Sequence, residues 1–277
     1  MNDVPQQFIG IDFSAARDAG DRMWMTIAHA TATGLSVDTV ESASRLLGAP
    51  SSSIVPALVR FIARSGHSVI GCDACFGLPR SLVDEPWEAW LQSYPQRFPT
   101  YQTLRQAGRD PSGRELKRLT DRCARAPFAP TNLRIVRQTD CWLREVLLPL
   151  VREGAATVAP FQPRSPDRPH LMEVCPAVSL RVLGLPHRRY KGRTAEESRV
   201  RAQILERLAN QGLDCSRMIM DRVRTQAGGD ALDSLVAALT VWLVIRQHPA
   251  APDVPDEARW EGWIYRPLPP TVSGSSR

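Results

Sequence analysis

Phe8-Ile9-Gly10-Ile11-Asp12 is a short apolar run that ends on a carboxylate, and Val69-Ile70-Gly71-Cys72-Asp73 repeats the pattern later in the chain. Runs of this kind, bounded by polar or turn-forming residues, predict buried strands over Phe8 to Ser14 and Ser68 to Asp73. Between them Met23 to Ala30 and Leu35 to Ser42 predict two further strands, with Thr33-Gly34 in the turn. Val55, Leu58, Val59 and Ile62 recur at helical spacing and predict a helix over Ile54 to Arg64. Its Pro56 falls in the first turn, where a missing N–H costs nothing. A helical crossover makes the fourth strand parallel to the first. The order of three strands, a helix and a strand is the first half of an RNase H-like α/β fold, a mixed sheet flanked by helices.

Working outward, Glu173 lies within a predicted strand, His170 to Cys175, followed by a short helix over Ala177 to Leu183. Thr194, with Glu197 three residues on, forms a capping box that opens a helix to Asn210. The last predicted helix, Asp230 to Arg246, is apolar nearly all round and must be buried. Its first turn nevertheless carries Asp230 and Asp233, three apart and so on one face. The helix dipole accounts for one such aspartate better than for two. Asp12, Asp73, Glu173, Asp230 and Asp233 are thus carboxylates placed in or beside apolar elements, where they need partners. Two of them at ~4 Å repel by roughly 4 kcal/mol at an effective dielectric near 20. A divalent cation relieves that repulsion, and the pattern predicts a metal-dependent hydrolase.

The bulk numbers fit one large domain of 277 residues with a real core, 43% of the chain being hydrophobic. The net charge is +6, and Arg97 to Arg144 holds eleven Arg/Lys against four Asp/Glu, so the excess sits there. Residues 80–163 are rich in proline and arginine, without a clean strand; Leu116 to Cys123 and Thr139 to Arg152 predict helices. Trp87, Trp90 and Trp142 need burial, so this stretch is expected to be a basic, mostly helical insertion packed on the core. Its Arg105, Arg109, Arg114, Lys117, Arg118, Arg122 and Arg125 are the candidate phosphate contacts for nucleic acid. Arg137 and Asp140 are a candidate internal ion pair. The six cysteines are dispersed and fit buried, reduced thiols in a reducing cytoplasm. Met1 to Gln7 is polar and the apolar run after it is short, so no signal peptide is expected, and no run is long enough to predict a membrane span. Residues 249–277 are expected to be a tail docked in part through Trp260 to Tyr265.

Six motifs occur in order: Gly10-Ile11-Asp12-Phe13-Ser14-Ala15-Ala16, Asp73-Ala74-Cys75-Phe76-Gly77-Leu78-Pro79, Glu173-Val174-Cys175-Pro176-Ala177, Tyr190-Lys191-Gly192, Gly229 to Ala238, and Glu261-Gly262-Trp263-Ile264-Tyr265. Together they resemble domain-of-unknown-function family 429, regarded as predicted nucleases of the RNase H-like superfamily. The Asp230/Asp233 pair is also similar to that of RuvC-type resolvases. The resemblance implies two Mg²⁺ or Mn²⁺ ions bridged by Asp12, with Asp73 on one and Asp230 or Asp233 on the other. It implies Glu173 as a further ligand or a water-orienting group, and Lys191 as a contact to the scissile phosphate. RuvC-type enzymes act as dimers, so a homodimer is an expectation of the same origin. One departure is that the helix Ile54 to Arg64 has no acidic residue, leaving the second carboxylate to Asp73. Two other classes compete. A non-catalytic nucleic-acid-binding scaffold would keep the fold without turnover. An actin-like ATPase or sugar kinase would need a second Gly-rich phosphate loop, which the chain lacks.

Overall fold

The structure is a computed structural model that describes residues 7–249 and 252–269. The Ser-rich end of the expected tail lies outside the described residues. The strands are β1 (Gln7–Asp12), β2 (Trp24–Ala30), β3 (Leu35–Ser42), β4 (Ser68–Asp73), β5 (Thr157–Val158), β6 (His170–Glu173) and β7 (Leu213–Cys215). They form one sheet in the order β5-β6-β4-β1-β2-β3-β7. β1, β2 and β3 run antiparallel in sequence, while β4 and β6 extend the sheet parallel to β1. This seven-strand mixed sheet flanked by helices is an α/β fold consistent with the RNase H-like order. Register follows the sequence pattern: Gly10 faces Gly71 and Asp12 faces Asp73 across the β1–β4 pair.

The crossover helix spans Ile54–Arg64, and the closing helix spans Asp230–Gln247 with every residue from Ala231 to Val244 buried. Hydrophobic patterning does not predict β5 and β7. At two and three residues they are too short to leave a period-two signature, and only pairing with β6 and β3 defines them. The helices Trp87–Arg97 and Tyr101–Ala107 also escape the pattern, the first because Pro95 interrupts its period. The expected helix at Leu116 begins instead at Leu119. The one expected at Thr139 is part of a continuous helical stretch, 136–152, whose centre at Trp142–Leu147 is a π turn.

Trp90 and Trp142 are fully buried in the same core as Ile9, Ile62 and Ile70. The basic segment is therefore packed on one face of the sheet, and β5 at its end becomes the sheet edge. The closing helix covers the other face with Phe8, Val69 and Met172. Among the described residues, no helix is long and apolar enough to cross a membrane. The cysteines are free, but burial holds fully only for Cys72; Cys123 is exposed.

Candidate metal centre

The closing helix reaches the sheet because two strand residues have no side chain. A Cβ on Gly10 would lie 1.9 Å from the Ser234 carbonyl oxygen, and one on Gly71 would lie 2.6 Å from that of Ala237. Helix backbone thus rests directly on strand backbone. The Ser234 hydroxyl meets that of Thr26 at 2.9 Å, fixing the same level on β2. Asp12 and Asp73 follow two residues after the glycines, on the same face of the sheet. Asp233 precedes Ser234, so contact at Gly10 carries it to the strand ends. Carboxylate oxygens of Asp12, Asp73 and Asp233 all lie within 4.8 Å of one another.

Asp233 is 1% exposed, and its two oxygens are engaged separately. Oδ1 accepts from the Tyr190 hydroxyl at 2.8 Å, and Oδ2 is 2.5 Å from Lys191 Nζ. The same Nζ is 4.0 Å from Asp230 Oδ1. Asp230 stands outside the three-carboxylate group. It is partly exposed, and its Oδ2 accepts from Gln226 Nε2 at 3.2 Å. Gln138 Nε2 donates to the Asp73 carbonyl at 2.8 Å and ties the 136–152 stretch to the end of β4.

Glu173 lines the same cavity but lies outside the three-carboxylate group. Arg118 Nη2 and Nη1 clamp its two oxygens at 2.5 and 2.8 Å, and the Phe76 amide donates to it at 2.9 Å. Arg118 also pairs with Asp121 at 2.8 Å. Both partners of this bidentate pair are buried, so Glu173 is committed to an internal ion network. Arg118 has no exposed surface and cannot track a phosphate backbone. Of the other basic candidates, Arg109, Arg114, Lys117, Arg122 and Arg125 are exposed and Arg105 is half-buried. Arg137 does not pair with Asp140. It donates to the Tyr101 hydroxyl at 2.7 Å, while Asp140 pairs with Arg144 at 2.8 Å.

Two buried residues received no role from the sequence. Glu261 accepts the amides of Arg80 and Leu119, locking the Glu261-to-Tyr265 motif to the basic segment. Arg201 is 2% exposed, and its Nη1 donates to the carbonyls of Tyr190 at 2.6 Å and Gly192 at 3.1 Å. A signal for Arg201 existed. It shares the apolar face of the helix Ala195–Ala209 with Ile204, Leu205 and Leu208, a position where a cation needs an internal partner.

Electrostatics follow from this crowding. Burial, then the charge of Asp233, raises the Asp73 pKa to about 7, against the pull of Lys191. Burial and Asp233 also raise Asp12, and burial raises Asp233 against Lys191 and Tyr190. Burial alone would lower Lys191, but Asp233, Asp12 and Asp73 outweigh it and hold the ammonium charged. Three oxygen donors at this separation, left protonation-prone without a cation, could hold a metal ion. They line a cavity of ≈ 340 Å³ to which the basic segment contributes Phe128, Ile135 and Gln138.

An α/β protein with a seven-strand mixed sheet and a carboxylate cluster at its strand ends is the class defined by fold and site. The chain belongs to the family described as "Protein of unknown function (DUF429)", whose profile matches residues 10–257. Neither curated proteins nor solved structures returned a match.

Proposed function

We propose that this protein is a metal-dependent nuclease that hydrolyses phosphodiester bonds. The observation that carries the proposal is the convergence of Asp12, Asp73 and Asp233 from β1, β4 and the closing helix onto one cavity. A divalent ion held there would supply Lewis acidity toward a phosphoryl oxygen and a more acidic bound water. Asp12 and Asp73 bind and orient through rigid strand ends, and Tyr190 keeps Asp233 turned toward them. Lys191, charged and half exposed, is placed to meet a phosphate oxygen at the cavity mouth. The exposed Arg109, Arg114, Lys117, Arg122 and Arg125 would hold the flanking backbone. Nucleic acid as substrate rests on the RNase H-like order and on this charge, since a fold by itself does not select a reaction.

One observation favours a second reading, a binding scaffold without turnover: Lys191 already neutralises Asp233. Incubation of the protein with Mg²⁺ or Mn²⁺ and labelled single-stranded, duplex, hybrid and four-way-junction substrates separates the two. Cleavage that disappears in Asp12→Asn/Asp233→Asn is the expected result. Binding without cleavage in any metal would leave the scaffold, and neither binding nor cleavage would sink both.

A further inference from the structure

Lys191 Nζ lies between the two carboxylates of the closing helix, 2.5 Å from Asp233 and 4.0 Å from Asp230. Its backbone is fixed from both sides. Arg201 Nη1 grips the carbonyls immediately before and after it, at 2.6 and 3.1 Å, and Arg201 Nε donates to the Arg224 carbonyl at 2.7 Å. The Gly192 amide donates to the Ala227 carbonyl at 2.7 Å. The stem passes so close to Gly229 that a Cβ there would lie 2.9 Å from Lys191 Cγ. These contacts build the loop 190–192 into the acidic site and direct the ammonium at Asp233.

We propose that Lys191 is the resident second cation of the site, so that Asp12, Asp73 and Asp233 hold one divalent ion in place of two, with Arg201 as the positioning residue. The inference rests on the metal-dependent reading above and deepens it. Formal charge is in line with it: the three carboxylates that converge, Asp12, Asp73 and Asp233, balance one divalent ion plus one ammonium. Donor supply agrees. One oxygen of Asp233 already accepts from Tyr190 and the other from Lys191, which leaves Asp233 only half its acceptor capacity to offer an ion beside Asp12 and Asp73.

Mn²⁺ titration of the full chain, by calorimetry and by electron paramagnetic resonance, tests this without any activity measurement. The expected counts are one ion for the wild type, one for Lys191→Arg, and two spin-coupled ions for Lys191→Met, with circular dichroism reporting the fold. Two ions in the wild type would overturn the inference whatever the variants do, and would leave the metal-dependent reading standing. One ion in Lys191→Met, folded as the wild type is, would also overturn it, because the lysine would not be what excludes the second. No ion in the wild type but one in Lys191→Met would make the lysine the sole cation and overturn it again. No ion in any of these proteins would remove both the inference and the reading beneath it.

Discussion

Asp73 is charged only against resistance, since burial and then Asp233 raise its pKa to about 7. A carboxylate raised in the fold stabilises it through its bound proton. That contribution is complete below the ordinary carboxylate range and is lost as pH rises through the folded value. Asp73→Asn therefore stabilises the metal-free protein. Its advantage should grow from about pH 4 to about pH 7 and then level off at about 1–3 kcal/mol, partial exposure of the side chain holding the figure down. Urea denaturation in chelator across that range measures it, and an advantage that shrinks with rising pH would contradict the assignment. Arg118 makes the opposite case. Arg118→Ala leaves Glu173 and Asp121 buried without their cation and should cost about 3–5 kcal/mol. A phosphate-binding arginine would instead lose binding with stability intact, so thermal denaturation beside a binding assay distinguishes the two roles.

At the scale of elements, the site depends on how closely the closing helix lies on β1 and β4. Gly10→Ala would drive a methyl group to within 1.9 Å of the Ser234 carbonyl oxygen and 2.5 Å of the Ala238 amide nitrogen. Both neighbours are backbone atoms, so neither can rotate away. Relief requires the helix to lift or slide, at a cost of about 1–3 kcal/mol or more, and that shift moves Asp233 from Asp12. Chemical denaturation of Gly10→Ala should register the cost, and its Mn²⁺ affinity should fall even at temperatures where the variant is folded. A variant as stable as the wild type would mean that the helix does not rest on this strand. The helix Ala195–Ala209 has a comparable duty through Arg201, which ties the Lys191 loop to a buried face.

Across the whole molecule, the basic segment is both wall and surface. Its apolar side shares a core with the crossover helix, and its residues line the acidic cavity. Three of the four acids between Arg97 and Arg144 are paired internally, Asp110 with Arg114, Asp121 with Arg118 and Asp140 with Arg144. The surplus charge is left to exposed residues such as Lys117, Arg122 and Arg125. If these meet nucleic acid, Lys117→Gln/Arg122→Gln/Arg125→Gln weakens binding and lowers the salt slope by about 0.7–0.9 for each phosphate no longer neutralised. Stability should stay unchanged, and an unaltered slope would remove the segment from the interface. Local sequence was enough for β1 to β4, the crossover helix, the buried closing helix and the carboxylates set within them. Each is a matter of hydrophobic period, turn residues and caps. Which carboxylates meet was settled only by tertiary packing. Asp230 and Asp233 share a helix face, yet three residues turn the helix to about 60° short of a full revolution. That offset, with the helix pinned at Gly10, brings Asp233 to Asp12 and leaves Asp230 at the rim. Likewise no local pattern tells an arginine bound for solvent from Arg118 or Arg201, whose partners come from distant parts of the chain. Charge placement is settled by what the fold packs against it.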